Sequence, residues 1–120
     1  MANKITLLEA VDLILNEAGR GDRILVVDEN LLDLEKELSA LRYTVYPVPF
    51  NTSDEEIKRE LRGRIFITRN GKDFAKDVEK FYYGLIWVHG NTDAKILAKE
   101  IEQVLMAANF ARNPTQVVRI

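Results

Sequence analysis

Arg23-Ile24-Leu25-Val26-Val27-Asp28-Glu29-Asn30 is the stretch whose reading decides the fold. Four apolar residues in a row leave no polar side to turn to water. A run that short and that continuously apolar suits a strand covered on both faces, as in a parallel sheet. The acid directly after it has no packing purpose. In open parallel α/β sheets, ligands bind beyond the carboxyl ends of the strands, which is where Asp28 would stand.

Working outward, strand-like and helix-like segments alternate. Residues 31–41 set Leu31, Leu34, Leu38 and Leu41 at helical spacing. Residues 43–48 form a β-branched and aromatic run closed by Pro47 and Pro49. Thr52-Ser53-Asp54-Glu55-Glu56 has the pattern of a capped helix start, and that helix runs to about Leu61. Residues 64–68 are a third strand, Asn70-Gly71 a turn and 72–81 a helix. Residues 84–89 are a fourth strand with Trp87 in its core, and His89 reads as a structural strand end. Residues 92–109 form the longest helix, with Ile96, Leu97, Ile101, Val104 and Leu105 on its core face. Residues 116–120 are open between a short edge strand and a loose tail. Residues 5–18 form a further amphipathic helix ahead of the alternation, closed by Gly19 and Gly21.

Short connections and right-handed crossovers turn this order into an α/β three-layer sandwich with a central, mainly parallel four- or five-stranded sheet. The chain of 120 residues reads as a single domain. Its parts are an N-terminal helical extension over 1–20, a core over 22–109, and a tail or edge strand over 110–120.

Composition narrows the chemistry. With no cysteine, disulfides and thiolate metal sites are excluded, and with His89 as the sole histidine so is a histidine-rich zinc site. A metal here would be held mainly by oxygen, which points to magnesium or manganese. The formal net charge of −2 announces neither nucleic acid nor membrane. Glu9, Asp12 and Glu17 interrupt the N-terminal apolar stretch, so a secretory leader is not expected there. The expected location is cytoplasmic, without membrane contact.

The predicted carboxyl edge gathers acids and amides: Asp28, Glu29 and Asn30 after the first strand, Asp54 and Glu55 after the second, Thr68, Arg69, Asn70 and Asp73 after the third. Carboxylates brought together repel one another unless a cation intervenes. A bound divalent ion removes that cost, polarises a phosphoryl oxygen and generates hydroxide near neutral pH. Each acid also has a bland reading. Asp54 and Asp73 lie in first helical turns, where a carboxylate is favoured by the helix dipole in any case. Asp28 has no such explanation.

The first motif resembles that of response-regulator receiver domains, whose first strand also ends in paired acids that bind magnesium. A receiver, however, needs a phospho-accepting aspartate at the end of its third strand, where this chain has Thr68, and a lysine after a fifth. A wider resemblance runs from about residue 22 to 106. Asp28-Glu29-Asn30-Leu31, Ser53-Asp54-Glu55-Glu56-Ile57 and Ile67-Thr68-Arg69-Asn70-Gly71-Lys72-Asp73-Phe74 look like three successive motifs of PIN-like domains. The compact branch, found in toxin-like proteins and in the C-terminal domain of Mut-seven-type exonucleases, is the most similar.

That resemblance implies a Mg2+- or Mn2+-dependent endoribonuclease acting on RNA. One setting is the toxin of a toxin–antitoxin pair, with a cognate antitoxin or another protein as partner; a homodimer is a further possibility. Asp28, Asp54 and Asp73 would be the catalytic and metal-binding acids, with Asn30, Thr68 and Asn70 in support. Arg69 and Lys72 would meet RNA phosphates, with Arg42 a further candidate. The compact branch often carries Asp-x-Asp-Phe in its last motif, where this chain has Asn70 for the first acid and a longer spacing. The alternative is a non-catalytic PIN-like or receiver-like module, such as an immunity protein, working through protein contacts.

Overall fold

The computed structural model describes residues 24–90 and 93–120, so the predicted helix over 5–18 lies outside the described residues. Strand β1 (Ile24–Val27) is buried at every position. A short 3-10 turn (Glu29–Leu31) leads into α1 (Leu32–Ala40). Then follow β2 (Thr44–Pro47), α2 (Asp54–Glu60) and β3 (Ile65–Thr68). Next come α3 (Gly71–Ala75), α4 (Val78–Phe81), β4 (Gly84–Trp87), α5 (Ala94–Ala108) and β5 (Val117–Arg119).

The five strands form one sheet in the order β2-β1-β3-β4-β5, and every pairing is parallel. The chain therefore winds outward in two directions from β1 and β3. Between those two strands lies the topological switch point, where doubly wound sheets open a crevice at their carboxyl edge.

Side chains alternate across the sheet and build two cores. On one face Leu25, Val27, Ile65, Ile67 and Ile86 pack under Leu34 and Leu38 of α1 and Leu97 and Ile101 of α5. On the other, Val26, Phe66 and Leu85 pack under Ile57 and Leu61 of the α2 segment, and Phe74 and Val78 of α3 and α4. The Phe66 and Phe74 rings meet at 4.7 Å. This is the expected three-layer α/β sandwich.

Three local expectations are corrected, and one left open is decided. The helix expected over 72–81 is two short helices hinged at Lys76 and Asp77. Gly71 begins the first of them instead of ending a turn. Residues 116–120, open between an edge strand and a loose tail, contain the edge strand: Val117 and Val118 pair with Leu85 and Ile86 in a fifth parallel strand. Ile96 is 54% exposed and does not join the core face of α5, whose buried residues are Leu97, Ala98 and Ile101. Trp87, finally, is half-buried and not interior. Among the described residues no helix is long and apolar enough to cross a membrane.

Candidate functional site at the carboxyl edge of the sheet

The parallel register carries Asp28 to the mouth of the switch point. It is 9% exposed, and its backbone N–H continues the sheet by donating to the Ile67 carbonyl at 3.0 Å. Its carboxylate is held on both oxygens. The Thr68 hydroxyl donates to Oδ2 at 2.5 Å, and the Glu29 backbone N–H donates to Oδ1 at 2.8 Å. The Thr68 side chain is fully buried at the end of β3, and its Oγ1 in turn accepts the Asn70 N–H at 3.0 Å. The chain Asn70 N–H to Thr68 O–H to Asp28 fixes the direction of the hydroxyl proton. Bonds of this kind to a charged acceptor are among the stronger ones in proteins.

Burying a carboxylate is costly without compensation. Here the compensation is hydrogen bonds alone: among the described residues, no cationic side chain forms a salt bridge with Asp28. Its chain neighbour Glu29 has a buried side-chain oxygen, Oε2, that lacks a hydrogen-bond partner among the described residues. A buried acceptor without a partner is a place where a hard cation or a proton donor would be stabilised.

The remaining predicted residues are distributed around this centre. Asp54 is the first residue of α2, exposed, just after the Ser53 cap whose hydroxyl accepts the Glu56 N–H at 3.3 Å. Asp73 is exposed in α3. Both stand at the edge that carries Asp28, one beyond β2 and the other beyond β3. Among the described residues, however, no three His, Cys, Asp or Glu side chains come close enough to hold a metal ion together. The structure thus brings Asp28, Thr68 and Asn70 into contact and leaves Asp54 and Asp73 on the flanks. Asn30 is exposed in the 3-10 turn, and Lys72 is exposed on α3. The Arg69 guanidinium donates to the Gly90 carbonyl, which ties the β3 loop to the β4 loop. Arg42 is a correction: it follows α1 and precedes β2, which places it at the amino edge, at the opposite end of the strands from Asp28.

Sequence reasoning missed a group on the β4 side. The Trp87 indole N–H donates to the Arg69 carbonyl at 3.2 Å. The His89 ring stacks on Trp87 with centroids 4.6 Å apart, and the Arg119 guanidinium lies 4.5 Å from the Trp87 ring centroid. The available signal was the period-two alternation, which puts residues 85, 87 and 89 on one face; it needed the fifth strand to bring Arg119 alongside. Comparison with protein-family models, with curated proteins and with solved structures finds no match for this chain, so the reading of this edge rests on its own geometry.

Proposed function

We propose that this chain is a Mg2+- or Mn2+-dependent endoribonuclease of the PIN-like type, with Asp28 as its anchoring carboxylate. The observation that carries the reading is the state of Asp28: buried at the switch point, hydrogen-bonded on both oxygens, and matched by no cation among the described residues. The order of the three acidic motifs along the chain supports it. The donor set fits a magnesium-type ion, which takes one or two carboxylates and fills its remaining positions with water. Asp28 would hold the ion with Glu29, whose buried Oε2 has no hydrogen-bond partner among the described residues. Asp54 and Asp73 are the further acids of the proposed set. When bound, such an ion supplies Lewis acidity and an activated water for attack on a phosphodiester.

The chain's own residues supply the orientation. Thr68 and Asn70 lock one oxygen of Asp28 in direction, leaving the carboxylate rigid. Rigid placement is what keeps a reactive geometry from blurring. Arg69 and Lys72, on the loop and helix just beyond Thr68, would meet the RNA backbone, whose phosphates accept contacts without regard to sequence.

The test is cleavage of RNA by the full chain in Mn2+, wild type against Asp28→Asn. A loss of roughly 100-fold or more is expected, since disturbing even an outer partner of a metal ligand costs 10- to 100-fold. Equal rates would sink the reading. The second reading, a non-catalytic module, is motivated by Asn70, which stands where the compact PIN-like branch often carries an acid. It predicts no cleavage by the wild type in either metal.

A further inference from the structure

The sheet aligns four unlike side chains at its carboxyl edge. Val26, Phe66, Leu85 and Val117 share the core under α2 and α3. Two residues further along each strand come Asp28, Thr68, Trp87 and Arg119. Thr68 pairs with Trp87, and Trp87 with Arg119, in register. An acid, a hydroxyl, an indole and a guanidinium thus form a row across four adjacent strand ends. Neighbouring strands are about 4.8 Å apart, so the indole lies about 10 Å from the acid along the row, within a few nucleotides' reach.

The indole is held in place. Its N–H is committed to the Arg69 carbonyl, and Gly71 lies so close that a Cβ there would come within 2.2 Å of Trp87 Cγ. The two groups in contact with it, His89 and Arg119, are both exposed. Among the described residues Arg119 has no salt-bridge partner. A fixed indole bearing an exposed imidazole and an exposed guanidinium is a planar, cation-bearing surface. Unpaired RNA bases are recognised on such surfaces, stacking on aromatic rings and on arginine planes.

We infer that Trp87, His89 and Arg119 form a stacking platform for an unpaired base of single-stranded RNA, on the β4–β5 side of Asp28. The platform rests on the reading of this edge as an RNA-cleaving site and names the substrate class: unpaired RNA, with a base seated next to the phosphodiester to be cut. Duplex RNA keeps its bases stacked within the helix and cannot use the platform.

The experiment uses the full chain and a short fluorescein-labelled oligouridylate, in EDTA so that binding is read without cleavage. Trp87 is the sole tryptophan and reports directly. The expected result is quenching of Trp87 emission on binding, with affinity lowered about 5- to 150-fold in His89→Ala and in Arg119→Ala, the range for removing one base stack. His89→Phe, which retains a planar ring, should bind close to wild type. Circular dichroism of each variant checks that it is folded, and His89→Phe remains a test if Arg119→Ala unfolds. Wild-type affinity and unchanged quenching in both alanine variants would overturn the platform. So would equal binding of an RNA duplex. Quenching by a chain that never cleaves in Mn2+ would keep the platform and overturn the nuclease reading instead.

Discussion

Two buried charges in this molecule are handled in opposite ways. Lys58, on α2, is buried with its ammonium 2.7 Å from Asp77 and 5.4 Å from the Phe74 ring centroid. Its charge is answered by another charge, between two helices on one side of the sheet. Asp28 is about as well buried, yet its partners are a hydroxyl and a backbone N–H. The first arrangement ties α2 to the hinge between α3 and α4 and is complete in itself. The second holds a carboxylate still without cancelling it. A complete ion pair serves the fold; a fixed carboxylate with no ion-pair partner among the described residues has capacity left for a ligand.

The contrast can be broken from either side. The largest effect is expected at Asp28: Asp28→Asn should lose roughly 100-fold or more of Mn2+-dependent cleavage while melting close to wild type, because the amide oxygen still accepts from Thr68. A drop in melting temperature with unchanged cleavage would reverse the roles assigned here. Next is Thr68→Val, which removes the donor to Asp28 and the acceptor of the Asn70 N–H. It should slow cleavage about 10- to 100-fold and cost about 1–3 kcal/mol in denaturant unfolding. Gly71→Ala drives a methyl into the Trp87 ring. Overpacking of this kind costs about 1–3 kcal/mol, and a shift in Trp87 emission would show that the indole has moved.

The smallest effect is expected at the ion pair, where Asp77→Asn keeps a hydrogen bond from Lys58 and loses only charge. The Lys58 hydrogen bond pulls the Asp77 carboxyl below its ordinary value of 3.8, and the same bond lifts Lys58 above 10.5. The carboxylate's share of stability is therefore present above pH 3.8 and lost as pH falls below it. The ammonium's share is present below pH 10.5 and lost as pH rises past it. Melting curves of wild type and Asp77→Asn should differ between those limits and converge outside them, with cleavage unaffected throughout.

How much was legible in the sequence follows the range of the interactions. β1 was legible because burial on both faces is written into consecutive residues. Asp28 stood out because nothing local explained it. Its bond with Thr68 joins residues 40 apart in sequence, and no local pattern records such a contact. β5 was undecided for a related reason: Val117, Val118 and Ile120 are β-branched, but so short a run does not by itself separate strand from tail, and what orders it is β4 alongside. The break within 72–81 escaped notice because the apolar spacing of Phe74 and Val78 continues through it. Trp87 was misplaced because an apolar strand implies burial until its last residue reaches the sheet's edge.

The outer strand β2 has a consequence for assembly. The Val48 N–H donates inward to the Val27 carbonyl at 2.8 Å. Donors alternate along a strand, so position 47 faces outward, and there the chain has proline, which has no N–H to offer. The margin of the sheet at β2 is thereby blunted against edge-to-edge pairing, the usual route by which exposed strands recruit further chains into aggregates. Any partner that joined this sheet by adding a strand would meet a better template along β5, beside Arg119.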